Sequence, residues 1–543
     1  NGEIYNHLEL RSKLKGYPFR RHSDTEVILA AYERWGDSCV DHFNGMFAFA
    51  LWDKSTGKLL CARDRLGVKP FYYTWHNGGL MFASEIKALL AAGIPPQPDM
   101  AAWAAYLVHG SYEPQDGSFF KGVRSLPPGH LLTAQPGHQP TIRRYWYLPD
   151  RTQDCASISE GEAAEELCGH LDRAVNLRMR SDVPVGLNLT GGLDSSAVAS
   201  FFFKHAKPDQ PIHVFTAAFD DPQYDEDGYA DHVIGESYCT RHRVRLAAQD
   251  VPALSKRAMW YQEAPFGGIG TLAYHHLHET IAQQGLKVVL EGQGGDELFG
   301  GYAYFAPAYL LDLLDAKDCA GIRRLLKPAI NPRRITALAR SMKSGNSALY
   351  QDGTSFLSPD CVAKTVMATS RPAPSYPEPF PDRFTNAMYR DLTYTKLQRV
   401  LRMNDRLAMA SGVELRQPFL DYQLVEFAFS LPPRLRIVQG HSKYILRRAM
   451  DGRLPKNVVW EPKRPVVTPQ REWVAGPLRE WIEDTINSPS FAGRGLFDVK
   501  QVKAGFKRYL SGNMENSFAI WQWLNAELWF HCFVDQKHGD ALV

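Results

Sequence analysis

Four short apolar runs, VPVGLNL, PIHVFTAAF, HRVRL and LKVVL, recur between residues 183 and 290, with helix-patterned stretches between them. A strand buried on both faces reads as a near-continuous apolar run, and joining two such strands side by side requires a crossover, usually a helix. The pattern therefore predicts a parallel sheet with crossover helices. The text before about Trp146 differs: FAFALWD and KLLCARD have period-2 character, GLMFAS follows a Gly-Gly turn, and SLPPGHLLTAQPGHQP is rich in Pro and Gly. That part predicts a mostly β domain with a few helices. Residues 150–158 form a polar connector, and EGEAAEELCGHLDRAVNLRMR then carries apolar positions at helical spacing. The reading is one domain over 1–150 and a second over 158–543, largely helical from about Tyr302 onward.

Bulk properties exclude several classes. A chain of 543 residues is too long for one core. Lys plus Arg number 62 against 59 for Asp plus Glu, a net charge of +3 without a long basic run, which argues against a nucleic-acid partner. No stretch approaches the ~18 uninterrupted apolar residues that a membrane helix requires, and the start lacks the order of a signal peptide, so no membrane association is expected. The eight cysteines are scattered with no CxxC pair, which suggests neither zinc nor a disulfide framework and fits a reducing cytoplasm.

The most informative segment is VPVGLNLTGGLDSSAVASFFF, where a strand over 183–189 enters Thr190, Gly191 and Gly192 and a helix starts near Ser195. Adjacent glycines let backbone N–H groups turn toward one point, and the helix N-terminus adds positive charge, so pyrophosphate would sit well there. Thr190, Ser195 and Ser196 can donate hydroxyl hydrogen bonds to its oxygens. Asp194 would repel a phosphate unless a cation lay between them, and Mg2+ is the natural bridge. A plain Asp capping a helix entered through a glycine turn accounts for the same residues. In LKVVLEGQGGDELFGGY a second strand ends in a glycine turn and supplies Asp296 and Glu297. Parallel strands open on one edge, where ligands gather at the switch in strand order, so Asp194 and Asp296 are expected to share one Mg2+. Neither loop carries GxxxxGK[ST], which excludes a P-loop of the kinase or GTPase kind.

These residues carry a resemblance. TGGLDSS is similar to the SGGxDS loop of the ATP pyrophosphatase superfamily, with Thr190 replacing the first Ser. EGQGGDELFGGY, MNDRLAMASGVELRQPFLD and HSKYILRRAM then follow in the order of the glutamine-hydrolysing asparagine synthetases, and the resemblance covers essentially the whole chain. It implies an α/β multidomain protein: an incomplete Ntn-type αββα glutaminase sandwich, then a parallel-sheet ATP-pyrophosphatase domain with a helical C-terminal region. It also implies ATP, Mg2+, glutamine and aspartate as ligands, and it allows a homodimer. In that family the aspartate side-chain carboxylate attacks the α-phosphate, pyrophosphate leaves, and ammonia displaces AMP from the acyl-adenylate.

Carried over position by position, Gly191, Gly192, Asp194 and Ser195 match the pyrophosphate loop. Leu189 and Gly292 match an adenosine cradle, with Glu291 grouped among the nucleotide-binding residues. Ala217, in PIHVFTAAF, would lie beside the adenine, a buried strand position being the equal alternative. Glu226 in YDEDGYA resembles an acidic position near the nucleotide, although three other acids surround it and a solvated loop is the stronger local reading. Lys443, in GHSKYILRR, resembles the lysine that approaches the α-phosphate and would stabilise charge developing during adenylation; a surface lysine is the default alternative. Arg416 and Asp421 resemble architectural ion-pair residues, and Lys463 and Arg464 resemble neighbours of a phosphate loop. Gln293 departs from the resemblance, because many asparagine synthetases place there a Glu associated with the aspartyl intermediate or the ammonia proton. Gln cannot take up a proton as a carboxylate does, which leaves the acceptor open. An amide ligase acting on another carboxylate, resembling β-lactam synthetases, peptide cyclases or cell-surface amidotransferases, is the alternative, and a silent nucleotide-binding regulator is a third.

The opening NGEIYN alternates apolar and polar residues like a strand already under way. In the resembling family a terminal cysteine attacks glutamine with its own amine as base. Asn1 and Gly2 match its oxyanion hole, and Glu3 and Asp24 match the acids that hold glutamine's amino group. None of the eight cysteines is terminal, so the sequence is expected to start downstream of the nucleophile and, as it stands, not to hydrolyse glutamine. Two further patterns are read as decoys. GIGTLA fits G-x-G-x-x-A but follows no apolar strand, and YHHLHETI sets His275, His278 and Glu279 on one helical face without further ligands.

Overall fold

The computed structural model describes residues 1–112, 114, 117–207, 211–221, 223–224, 227–234, 239–325, 375–461, 468–512 and 517–535. Its N-terminal part contains eight strands: β1 (Gly2–Ile4), β2 (Gly45–Asp53), β3 (Lys58–Arg63), β4 (Tyr72–His76), β5 (Gly79–Ala83), β6 (Arg124–Ser125), β7 (His130–Ala134) and β8 (Thr141–Arg144). They form two antiparallel sheets, in the orders β1-β2-β3-β7-β8 and β5-β4-β6. The period-2 alternation chooses between two cores rather than between core and water. Leu60, Ala62 and Leu131 pack with Val27 and Ala30 of the helix Asp24–Trp35, whereas Cys61, Leu132 and Ala48 pack with Tyr73 and Leu126 between the sheets. The outer face of the smaller sheet packs, through Tyr72, with Leu89 and Trp103 of the helices Ile86–Ala91 and Met100–His109. The layers run helix, sheet, sheet, helix.

After residue 158 comes the helix Glu160–Arg178, fixed at its start by a capping box between Ser159 and Glu162. A parallel sheet follows: β9 (Val185–Asn188), β10 (Ile212–Ala218), β11 (Cys239–Arg245), β12 (Val288–Leu290) and β13 (Glu414–Arg416), ordered β11-β10-β9-β12-β13. The chain grows outward from β9 to β11 and then returns to β9's other side, so the order reverses between β9 and β12. At such a reversal the connections diverge and leave a crevice at the strands' C-terminal ends. All four apolar runs form strands, although β9 is shorter than 183–189 and its helix begins at Leu193 rather than near Ser195. β13 was not anticipated, because Glu-Leu-Arg has no apolar run, and its pairing with β12 from Val288↔Glu414 to Leu290↔Arg416 defines it. The Trp-rich helix Ser517–Trp529 packs into the core, with Trp529 5.2 Å from Trp103 between ring centroids. Among the described residues no helix is long and apolar enough to cross a membrane.

Buried polar contacts join the two parts. Lys69 Nζ lies 2.7 Å from Asp405 Oδ1, with both side chains buried. Asp421 Oδ2 accepts hydrogen bonds from Asn44 Nδ2 at 2.8 Å and an Arg178 guanidinium N–H at 3.2 Å. Glu263 accepts from the Ile86 and Lys87 backbone N–H groups at 2.8 and 2.6 Å and pairs with Arg406. Removing one member of a buried pair strands the other charge, whereas replacing both members is often nearly neutral. Lys69→Met should therefore cost about 3–5 kcal/mol of stability and Lys69→Met/Asp405→Leu much less, measured by chemical denaturation.

Candidate active site

The turn after β9 is tied to its neighbour strand and to itself. The Leu189 N–H donates to the Phe215 carbonyl at 2.9 Å, and the Thr216 hydroxyl donates to the Leu189 carbonyl at 2.8 Å. Within the turn the Thr190 and Ser195 hydroxyls lie 3.1 Å apart, the Gly192 N–H donates to Thr190 Oγ1, and Ser195 Oγ donates to the Gly192 carbonyl. Ser196 is fully buried in the first turn of the helix Leu193–His205. Gly191 takes a positive φ of 74°, which suits glycine. Ala217, near the C-terminal end of β10, is half-buried.

The turn after β12 packs backbone to backbone against this one. A Cβ on Gly292 would lie 2.7 Å from Ser195 N and 2.8 Å from the Asp194 carbonyl carbon, so only glycine permits the contact. Gln293 is half-buried, and the short helix Gly295–Phe299 then presents Asp296. Lys443 arrives from a third segment, at the start of the helix Tyr444–Met450, in a left-handed conformation with φ 56°. Its Nζ lies 2.5 Å from Asp194 Oδ2 and 2.6 Å from Asp296 Oδ1. A Cβ on Gly301 would overlap both Asp296 Oδ1 and Lys443 Cε, so any side chain there would displace the acid and the lysine from each other.

The electrostatics follow from this closure. Burial pulls the Lys443 ammonium down, but the charges of Asp194 and Asp296 more than offset it, leaving the group above its ordinary range and charged. Two carboxylates from distant loops thus gather around one cation at the edge of the crevice. Carboxylate oxygens together with phosphate oxygens are a donor set that suits Mg2+, so these residues fit the expected ion. Among the described residues no group of three or more His, Cys, Asp or Glu gathers for a metal, and an ion here would complete its shell with substrate oxygens or water.

Behind the turns, Glu291 is fully enclosed. Burial pushes its carboxyl up to about 7, opposed by the neighbouring Gln417, Asn404 and Asn188 amides; of these Gln417 Nε2 donates to Oε1 at 3.0 Å, while the Asn188 and Asn404 side-chain N–H groups lie close by without a hydrogen bond. Sequence reasoning did not pick out these amides, although an Asn closing an apolar strand is a polar residue where the pattern calls for an apolar one. Arg416 donates to the Arg178 and Arg180 carbonyls at 2.8 and 2.6 Å and bonds Glu414, while Asp421 caps the helix Tyr422–Ser430. Glu226, Lys463 and Arg464 lie outside the described residues.

A second cluster lies at the N-terminus. β1 pairs with β2 from Gly2↔Phe47 to Ile4↔Gly45, and Asn1 Nδ2 lies 3.4 Å from Ser84 Oγ. Asp24 Oδ2 accepts the Ile4 N–H at 2.9 Å. Glu3 is pushed up to about 7 by burial and by the charges of Glu414 and Asp24, with Arg416 opposing. Two acids that repel one another form a site that an ammonium group would relieve. The four N-terminal candidates therefore cluster apart from the crevice residues. In GIGTLA, Gly268 caps the helix Ile269–Gln283 directly after the helix Val251–Gln262, so no strand feeds it. His275 and His278 are buried on that helix.

The family model described as "Asparagine synthase" matches residues 166–531, and "Glutamine amidotransferase domain" matches residues 1–146. A putative asparagine synthetase [glutamine-hydrolyzing] of Mycobacterium bovis is 32% identical over 99% of this chain and 84% of its own length. Asparagine synthetase [glutamine-hydrolyzing] 1 of Bacillus subtilis is 28% identical over 99% and 86%. Amidase chyE of Penicillium rubens is 30% identical over 92% and 80%.

Glu291 holds a proton up to about 7 in the folded chain against an ordinary 4.5. The folded state therefore binds more protons within that window, and stability falls as pH rises through it. Glu291→Gln should reduce the pH dependence of the denaturation midpoint between about 4.5 and 7 by one group's share, with Glu3 and Glu297, also pushed up to about 7, contributing the rest, read from urea titrations at stepped pH.

Proposed function

Because the chain belongs to the asparagine synthase family, with a glutamine amidotransferase domain ahead of its synthase domain, we propose that it is an ATP-dependent amide ligase that converts aspartate into asparagine with glutamine-derived nitrogen. The convergence of Asp194, Asp296 and Lys443 carries this reading, since a carboxylate–cation–carboxylate cluster beside a glycine turn suits a departing pyrophosphate.

The steps proceed from these residues. The turn from Leu189 to Ser195, with Gly292 against it, cradles ATP, and Ala217 borders the base. The aspartate side-chain carboxylate attacks the α-phosphorus, the bond to the β-phosphate oxygen breaks, and pyrophosphate leaves. Bound Mg2+, held by Asp194 and Asp296, would supply charge neutralisation for the phosphates. Lys443 Nζ stabilises negative charge developing at the α-phosphoryl group. Ammonia then attacks the acyl carbon, loses a proton, and AMP leaves with the former carboxylate oxygen. Gln293 can orient groups here by hydrogen bonding but cannot act as a carboxylate base. In the N-terminal domain, Asn1 and Gly2 line an oxyanion site, and Glu3 and Asp24 hold the amino group of glutamine.

A second reading has specific support. Gln293, together with the likeness to an amidase, is compatible with an acceptor other than aspartate. Incubation with Mg2+, ATP, L-aspartate and ammonium should yield AMP, pyrophosphate and asparagine in equal amounts. Asp194→Asn and Asp296→Asn should each slow this by about 10²-fold or more. AMP formed only with another carboxylate would select the second reading, and AMP release unaffected by Asp194→Asn would remove both.

A further inference from the structure

One cation beside the site has no role in the steps above. Lys396 is the first residue of the helix Lys396–Ala410 and is half-buried. Its Nζ lies 5.0 and 5.8 Å from the ring centroids of Tyr302 and Tyr304. Those rings are stacked, 5.1 Å apart and 11° from parallel. They follow Gly301, on the segment that also carries Asp296. Gly301 itself lies against Asp296 and Lys443, so the two rings follow directly on the cluster. Burial and the charge of Arg399 pull the Lys396 ammonium down, with the charges of Asp391, Glu297 and Asp296 opposing. The acids around it are engaged elsewhere: Glu297 accepts from the Tyr302 hydroxyl at 2.7 Å, and Asp391 accepts from the Tyr304 hydroxyl at 2.5 Å, Thr395 Oγ1 at 2.9 Å and Arg390 Nε at 3.1 Å. Lys396 itself forms no ion pair or hydrogen bond among the described residues, only these cation–π contacts.

A half-buried ammonium whose nearest carboxylates stand beyond ion-pair distance and are bonded to other groups is only partly compensated, and an arriving anion would complete its pairing. Aromatic faces hold the cation in place without neutralising it. From this geometry we propose that Lys396, set over the Tyr302 and Tyr304 rings, is a specificity-determining residue that receives a second anionic group of the acceptor while the reacting carboxylate lies near Lys443. The inference rests on the ligase reading and extends it: the acceptor is a diacid whose non-reacting carboxylate pairs with Lys396, and an acceptor with an amide there is rejected. Lys396 lies outside both glycine turns assigned to ATP, so its loss is expected to act on acceptor binding and not on ATP.

The test follows AMP release with ammonium as nitrogen source, using L-aspartate and its α-amide L-isoasparagine as acceptors. The wild type should favour aspartate by at least tenfold in kcat/KM. Lys396→Met should raise the aspartate KM at least tenfold, leave the isoasparagine value unchanged and keep the ATP KM within twofold. Lys396→Arg should restore most of the aspartate preference, which a merely structural role would not require. Lys396→Gln gives the same readout if the methionine variant does not fold. An aspartate KM unaltered by both neutral substitutions, or a wild type that accepts the two compounds equally, would overturn the assignment and leave the ligase reading intact. Absence of AMP from the wild type with either acceptor would overturn the proposed aspartate reaction and this inference with it.

Discussion

An ammonium shared between two carboxylates holds the catalytic half together: Lys443 between Asp194 and Asp296. Each of the three enters from a different segment, so the contact exists only when β9, β12 and the helix Tyr444–Met450 are all in place. Bringing a lysine into a buried position costs solvation, and only the two opposing charges offset that cost. The glycines explain how the segments approach so closely. At Gly292 the second turn touches the backbone of the first, and at Gly301 it leaves room for the lysine stem.

The sheet supplies this convergence. Because the strand order reverses between β9 and β12, the connections that leave these strands diverge, and the two turns that meet at Gly292 stand beside a crevice instead of under a crossover helix. The N-terminal sandwich is joined to this platform by polar contacts. Lys69 holds Asp405, one residue from Asn404 beside Glu291, and Glu263 holds both Arg406 and the start of the helix Ile86–Ala91. The helix Lys396–Ala410 thus carries the interface pairs, an amide next to the two glycine turns, and Lys396 at its first position. Orientation between the halves and order in the crevice depend on the same helix.

Much of this was legible in the sequence because strand patterns and glycine turns are local. The four apolar runs gave β9 to β12, and the two glycine turns located Asp194 and Asp296 at adjacent strand ends. Lys443 was reached only through the resemblance of its motif, since a lysine in a helical segment carries no local sign that it will be buried. β13 was missed because three residues cannot show a period, and its pairing with β12 is a tertiary fact. Lys396, Asn188, Asn404 and Gln417 escaped for a related reason. Their meaning comes from neighbours about ninety residues or more away along the chain, which periodicity does not encode.

The central claim is that two carboxylates from separate turns jointly hold one divalent ion against the departing diphosphate. Electron paramagnetic resonance of Mn2+ titrated into the protein with and without inorganic pyrophosphate tests it most directly. The account predicts one Mn2+ per chain, bound tightly only when pyrophosphate is present and lost in either Asp194→Asn or Asp296→Asn. Equal Mn2+ binding by the wild type and the doubly substituted protein, with pyrophosphate present, would contradict it.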